Sequence, residues 1–230
     1  MTTTAAPLVL LPGMNCSARL WSALNLDREQ AVHTPRLTEP TLTKQVDRLL
    51  DELPPRVTLM GLSLGAIVAM ALTRTAPERV ADLVLLSTNP YGPTELQFVA
   101  WRTERDRLSA GVSPRDIQRD LLPVLLTPAS LLSRPDLVAT TLAMADDVGA
   151  AELDAQLSLQ ATRIDERSAL REVRCPTLVV AGAEDRLCPV QRHREIADLV
   201  PGSRLHVVEG AGHLSPLERP EALQRVLDTG

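Results

Sequence analysis

Short, largely apolar runs recur along the chain, and between them apolar residues return every three or four positions. The run Leu8-Val9-Leu10-Leu11, closed by Pro12-Gly13, predicts a strand buried on both faces. Residues 56–62, 80–86, 177–181 and 204–209 are the next strand candidates, and residues 31–35 form a weaker one. Helical spacing occupies residues 41–53, through Leu42, Val46, Leu49 and Leu50, until Pro54-Pro55 stops it. Further helices are expected over 63–75, 189–200 and 216–228, and Ser17 is placed to cap one that carries Leu20, Trp21 and Leu24. Strand and helix alternate with short connections, which predicts an α/β fold with a mostly parallel sheet covered on both faces.

The alternation lapses between residues 89 and 174. No strand pattern occurs there, and helices are expected at 95–109, 113–126, 135–147 and 150–163, punctuated by Pro93, Pro114, Pro128 and Pro135. The simplest organisation is a core formed by 1–88 and 175–230, with 89–174 inserted as a helical cap. Such an insertion belongs over the carboxyl ends of the strands, where open α/β sheets bind ligands.

Composition narrows the function classes. A chain of 230 residues, 44% hydrophobic and 23% charged, fits one globular domain and not a disordered one. Only 2% is aromatic, so the core and any pocket must be built mainly from Leu, Val and Ala. A net charge of -5 offers nothing to phosphate backbones or anionic membrane surfaces, so neither nucleic acid nor membrane is an expected partner. The arginines at 102–107 and around Arg192 are interleaved with acids and read first as solvated helix faces. Cys16, Cys175 and Cys188 lie far apart without a C-x-x-C pair, so neither a disulfide framework nor a zinc site is predicted. The N-terminus has no basic segment before an apolar stretch, and no apolar run reaches the roughly 18 residues a membrane span needs. A cytoplasmic protein is expected, with a small-molecule substrate. Oligomeric state is not encoded in these patterns.

The candidate chemistry begins at Gly61-Leu62-Ser63-Leu64-Gly65, a G-x-S-x-G pattern with a predicted strand before it and a helix after it. A nucleophile on so sharp a turn has a strained backbone, and side chains two positions either side would collide, hence glycine at both. Ser63 also stands at the positive end of a helix dipole. The competing reading is a capping serine between two structural glycines. A serine nucleophile requires a base and a group to orient it. His213 lies in Gly210-Ala211-Gly212-His213, a loop directly after the last strand. His206 within a strand, His193 in the charged run Gln191-Arg192-His193-Arg194-Glu195 and His33 on an edge strand read as packing or solvated residues. Asp185 falls just beyond the strand 177–181, with Glu184 expected to point elsewhere. The alternative acid position, after the strand 80–86, reads Ser87-Thr88-Asn89-Pro90 and holds no carboxylate. The order Ser63, Asp185, His213 is that of the α/β-hydrolases. Gly210-Ala211-Gly212 begins like a dinucleotide fingerprint, but its third glycine is missing and it lies near the C-terminus. No phosphate-binding Gly-Lys-Ser/Thr occurs and no cluster has metal-ligand spacing, so neither cofactor nor metal is expected.

Taken together, Leu10-Leu11-Pro12-Gly13-Met14, the turn at Ser63, the segment 175–182 before Asp185 and Gly210-Ala211-Gly212-His213 make the chain resemble the α/β-hydrolase family over essentially its whole length. It is most similar to small capped bacterial members such as 3-oxoadipate enol-lactonase and the carboxylesterase of biotin synthesis. The resemblance implies an oxyanion hole from the backbone N–H groups of Met14 and Leu64, with Ser63, Asp185 and His213 catalytic. Two departures are Pro12-Gly13 where many relatives carry His-Gly, and Gly65-Ala66 where many carry Gly-Gly. The hairpin that opens larger relatives has no counterpart before residue 8, so about six strands are expected.

The function that follows is hydrolysis of a small to medium, largely apolar ester, lactone or thioester through an acyl-enzyme. Two alternatives remain: non-hydrolytic chemistry on the same residues, such as C–C cleavage, elimination or a proton relay, and a ligand receptor with a vestigial triad. Phe98, Trp101, Leu125 and Met144 are the pocket candidates from the inserted helices, and Arg102 or Arg105 is a candidate grip for a substrate carboxylate.

Overall fold

The structure, a computed structural model, describes residues 6–26 and 31–229. The first five residues, part of the segment read for a leader signal, lie outside that range. Among the described residues six parallel strands form one sheet: β1 (Leu8–Leu11), β2 (Val32–His33), β3 (Val57–Leu62), β4 (Val80–Leu86), β5 (Thr177–Gly182) and β6 (Arg204–Val208), in the order β2-β1-β3-β4-β5-β6. The chain reverses its direction of travel across the sheet between β2 and β3, so the crevice beside β1 and β3 is the switch point at which such sheets place their chemistry.

The inner strands β1, β3, β4 and β5 are largely apolar because both faces are covered, whereas the edge strands β2 and β6 carry exposed residues. Val9, Leu11, Leu59, Leu83, Leu85 and Val179 enter one cluster, with α1 (Leu42–Glu52), α2 (Leu64–Thr75) and α8 (Val190–Leu199) packed on it. Their neighbours Leu8, Leu10, Met60, Leu62, Leu86, Leu178 and Val180 enter a second cluster on the opposite face. That face is covered by a 3₁₀ turn (Ala18–Trp21) capped by Ser17, by α9 (Ser215–Glu218) and α10 (Pro220–Asp228), and by part of the long helical insertion. Helix α2 is buried along Leu64–Thr73, consistent with its position inside the molecule.

The insertion between β4 and β5 contains α3 (Glu95–Ser109), α4 (Pro114–Leu125), α5 (Pro128–Ser133), α6 (Pro135–Ala161) and α7 (Arg167–Leu170). The helices expected at 135–147 and 150–163 are both present within α6 and meet at Gly149, whose φ 75° and ψ 168° lie outside the helical region and kink the run. Short α5 was not expected; Thr127 caps it and Pro128 occupies its first turn. Short α7 was not expected. The terminal helix expected over 216–228 is divided at Arg219, where Pro220 removes an N–H and begins a new helix. No helix among the described residues is long and apolar enough to cross a membrane.

Candidate active site

Ser63 joins β3 to α2 with φ 54° and ψ −112°, a backbone that a non-glycine residue adopts only under constraint. The constraint is visible on both sides. A Cβ on Gly61 would lie 2.5 Å from the Ala66 nitrogen, and one on Gly65 would lie 1.9 Å from the Leu11 carbonyl oxygen. The two glycines therefore let the turn close and let α2 press against the end of β1. Ala66 is accommodated within the core with no exposure. Ser63 makes no side-chain cap bond to α2, which removes the main support for the capping reading. Its N–H donates to the Leu86 carbonyl at 2.9 Å, and Thr88 Oγ1 donates to its carbonyl at 3.2 Å.

The loop after β1 runs alongside: a Cβ on Gly13 would lie 3.5 Å from that of Ser63. Its next residues are fixed from the insertion. The Asn15 N–H donates to Gln156 Oε1 at 2.8 Å, and Asn15 Nδ2 donates to the Pro114 carbonyl at 3.0 Å and Gln118 Oε1 at 2.9 Å. The backbone N–H groups of Met14 and Leu64 have no acceptor among the described residues.

Asp185 and His213 meet from two loops. His213 Nδ1 is 2.9 Å from Asp185 Oδ2, with both side chains almost wholly buried. Asp185 Oδ1 accepts from the N–H groups of Leu187 and Cys188, each at 2.9 Å. Burial pushes the Asp185 carboxyl up, but the adjacent imidazole and these donors outweigh it and hold the group below the ordinary carboxylate value. An ionised Asp185 selects the tautomer with hydrogen on Nδ1, leaving Nε2 free to accept a proton. Glu184 points to solvent instead.

The two loops are bound to each other and to the insertion. The Ala183 N–H donates to Val208 and the Glu184 N–H to Ala211, and a Cβ on Gly182 would lie 2.1 Å from the Gly212 oxygen. Buried Glu218 accepts from the Gly212 N–H at 2.6 Å and from the Thr127 N–H at 2.8 Å, while the Leu214 N–H donates to the Leu125 carbonyl at 3.2 Å. The segment carrying His213 is thus clamped between α9 and the turn joining α4 to α5.

His193 is a residue whose site contact the sequence reading missed. Its ring has no exposure; Nε2 accepts from the Thr88 N–H at 2.9 Å, and Nδ1 faces the Pro189 carbonyl at 3.3 Å. Burial lowers its pKa to about 4, so the ring is neutral, and through Thr88 it braces the turn at Ser63. The signal was the spacing His193, Ile196, Leu199, the inward stripe of α8. His206 is exposed and His33 half-buried.

Of the pocket candidates, Leu125 and Met144 join the apolar cluster that also holds Leu62, Leu86 and Leu214, beside the candidate residues. Phe98 and Trp101 instead pack edge to face, with centroids 6.1 Å apart, and Trp101 lies under Arg163. Arg105 is committed to Asp154 at 2.8 Å, which removes it as a free grip for a carboxylate. Cys16 and Cys188 are buried, and burial pushes each thiol up to about 12. Among the described residues no group of three His, Cys, Asp or Glu side chains is assembled to hold a metal. A cavity of about 780 Å³ opens at the amino ends of the strands beside Thr58, Asp82 and Arg204, away from Ser63 and His213.

The chain matches the alpha/beta hydrolase family over residues 8–226. It is 32% identical to the pimeloyl-[acyl-carrier protein] methyl ester esterase of Aromatoleum aromaticum, an alignment covering 93% of each chain. Its fold superposes on a thermophilic esterase from Thermogutta terrifontis with a TM-score of 0.86 at 24% identity, covering 98% of this chain and 89% of that one. It superposes on the enol-lactonase from Burkholderia xenovorans LB400 with a TM-score of 0.82 at 19% identity, covering 100% and 92%. The strained serine turn, the parallel six-stranded sheet and the match along nearly the whole sequence lead to one assignment: the chain belongs to the alpha/beta hydrolase family.

Proposed function

We propose that the protein is a serine hydrolase that cleaves a small to medium, largely apolar carboxylic ester, lactone or thioester through an acyl-enzyme. The observation that carries this reading is the buried His213–Asp185 pair, 2.9 Å apart, on loops at the same carboxyl end of the parallel strands as the strained turn bearing Ser63. Ser63 Oγ attacks the carbonyl carbon as His213 Nε2 takes its proton. Asp185 holds the imidazole by Nδ1 and stabilises its charged form. The N–H groups of Met14 and Leu64, which have no acceptor within the described chain, receive the oxyanion. The tetrahedral adduct collapses as His213 returns its proton to the leaving oxygen or sulfur; water, activated by the same imidazole, then releases the acid. The helices of residues 89–174 serve as a cap that supplies Leu125 and Met144 to the acyl pocket. The methyl ester esterase relative supports an ester as the bond broken.

The test is an intact-protein mass spectrum taken during turnover of short 4-nitrophenyl esters, beside the Ser63→Ala variant. An acyl mass on the wild-type chain, and kcat lower by roughly 10³ to 10⁶ in a folded Ser63→Ala protein, is the expected result. Turnover at the wild-type rate by that variant would overturn the assignment.

A further inference from the structure

The insertion is rich in arginine, and its other ion pairs follow a simple pattern. Arg105 pairs with Asp154, Arg107 with Asp120, Arg115 with Asp146, Arg134 with Asp136 and Arg167 with Asp165, all at least partly exposed to solvent. Arg163 breaks it. It is only 6% exposed, yet it makes no ion pair among the described residues. Its guanidinium donates to two neutral acceptors, Gln160 Oε1 at 3.2 Å and Gln97 Oε1 at 3.0 Å, and lies 5.3 Å from the Trp101 ring centroid, while its Nε has no partner. A buried lysine could shed its proton, but arginine stays charged, so this cation remains without a counter-ion in a water-poor setting.

Arg163 lines a cavity of about 470 Å³ together with Asn89, Tyr91, Gln97, Leu187 and Arg192. Arg192, at its rim, stacks 4.5 Å from the Tyr91 centroid and likewise has no carboxylate partner among the described residues. The acid on the cavity wall, Asp165, is occupied by Arg167 at 2.6 Å. The cavity borders the site: Asn89 follows Thr88, which bonds the Ser63 carbonyl, and the Leu187 N–H donates to Asp185.

We infer that this cavity is a carboxylate-binding subsite, in which Arg163 forms the buried contact and Arg192 guards the entrance. A planar carboxylate matches the guanidinium fork and supplies the missing charge. Two sources share that chemistry: the distal carboxylate of a half-ester substrate, whose ester end reaches Ser63, or a separate small carboxylic acid. Only the first source rests on the hydrolase reading above.

Binding is therefore measured apart from turnover, by titrating glutarate into the Ser63→Ala protein in a calorimeter. Saturable binding is expected, weakened about tenfold or more when Arg163→Gln is added and partly retained with Arg163→Lys. The substrate source is then read from kcat/KM for the 4-nitrophenyl half-ester of glutarate relative to 4-nitrophenyl butyrate. A ratio that falls about tenfold on Arg163→Gln assigns the subsite to the substrate, whereas an unchanged ratio with Arg163-dependent binding assigns it to a separate acid. Absence of saturable glutarate binding, or binding indifferent to both Arg163 substitutions in folded protein, overturns the inference. If neither ester turns over, the hydrolase reading fails while the titration still decides the subsite.

Discussion

Two sets of buried charged side chains lie near the carboxyl ends of the strands, and the protein treats them in opposite ways. Asp185 and Glu218 are each surrounded by donors: Asp185 accepts from two backbone N–H groups and His213, and Glu218 bridges Gly212 and Thr127. Arg163, at the end of the inserted helices, meets only neutral oxygens and the Trp101 ring. In the first pattern each buried charge is held and oriented by the protein's own donors. The second leaves a charge waiting. The contrast teaches that satisfaction, and not burial alone, separates groups that hold a site together from groups that receive a ligand.

The largest effect should come from disturbing the satisfied set at its centre. Asp185→Asn preserves shape but presents a donor to His213 Nδ1, favouring the wrong tautomer; kcat should fall by about 10⁴ with little change in melting temperature. A loss below tenfold would show that the pair does not orient the base. Next comes Glu218→Ala, which leaves the N–H groups of Gly212 and Thr127 buried without an acceptor. Denaturant titration should show a loss of about 2 to 5 kcal/mol, with a lower kcat from the loosened His213 loop. An unaltered midpoint would remove Glu218 from the clamp.

A smaller, pH-dependent effect should come from His193. Its folded pKa, about 4, lies below the unfolded value of about 6.5, so the unfolded chain binds the proton first. The contribution is complete above pH 6.5 and is lost as pH falls toward 4, amounting to about 2 kcal/mol between pH 7 and pH 5. His193→Gln should flatten that stretch of the stability curve. Equal slopes for the two proteins would contradict a neutral buried ring. Asp185, whose pKa is lowered, adds its own loss only below the ordinary carboxylate range. The smallest change is expected from Arg163→Gln, because deleting an uncompensated cation removes a desolvation cost along with its contacts. Stability at pH 7 should change by less than about 1 kcal/mol, in either direction. A loss above 3 kcal/mol would place Arg163 with the structural charges and dissolve the comparison.

Legibility in the sequence followed the distance over which each feature is determined. The turn at Ser63 was readable because its requirements are local: glycine two positions either side, a strand before and a helix after. Strands β1, β3, β4 and β5 were readable because two-sided burial demands continuous apolar residues. The break at Pro220 was blurred, since helical spacing persists on both sides of it, whereas the kink at Gly149 falls between the two helices expected at 135–147 and 150–163. Glu218 was invisible: nothing in Ser215-Pro216-Leu217-Glu218 announces that its carboxylate will meet Thr127, 91 positions away. Arg163 was overlooked in favour of Arg102 and Arg105, as the pattern of charges gives no sign of which arginine is buried.

The sequence by itself determined the α/β alternation, the strained turn at Ser63 and the order in which Ser63, Asp185 and His213 follow one another, because strand burial, helix periodicity and glycine-dependent turns act over a few residues. Only the tertiary structure decided which buried charges find partners. Those partners are backbone amides and side chains brought together from distant loops, and the free energy of a buried charge depends on what surrounds it rather than on its neighbours along the chain.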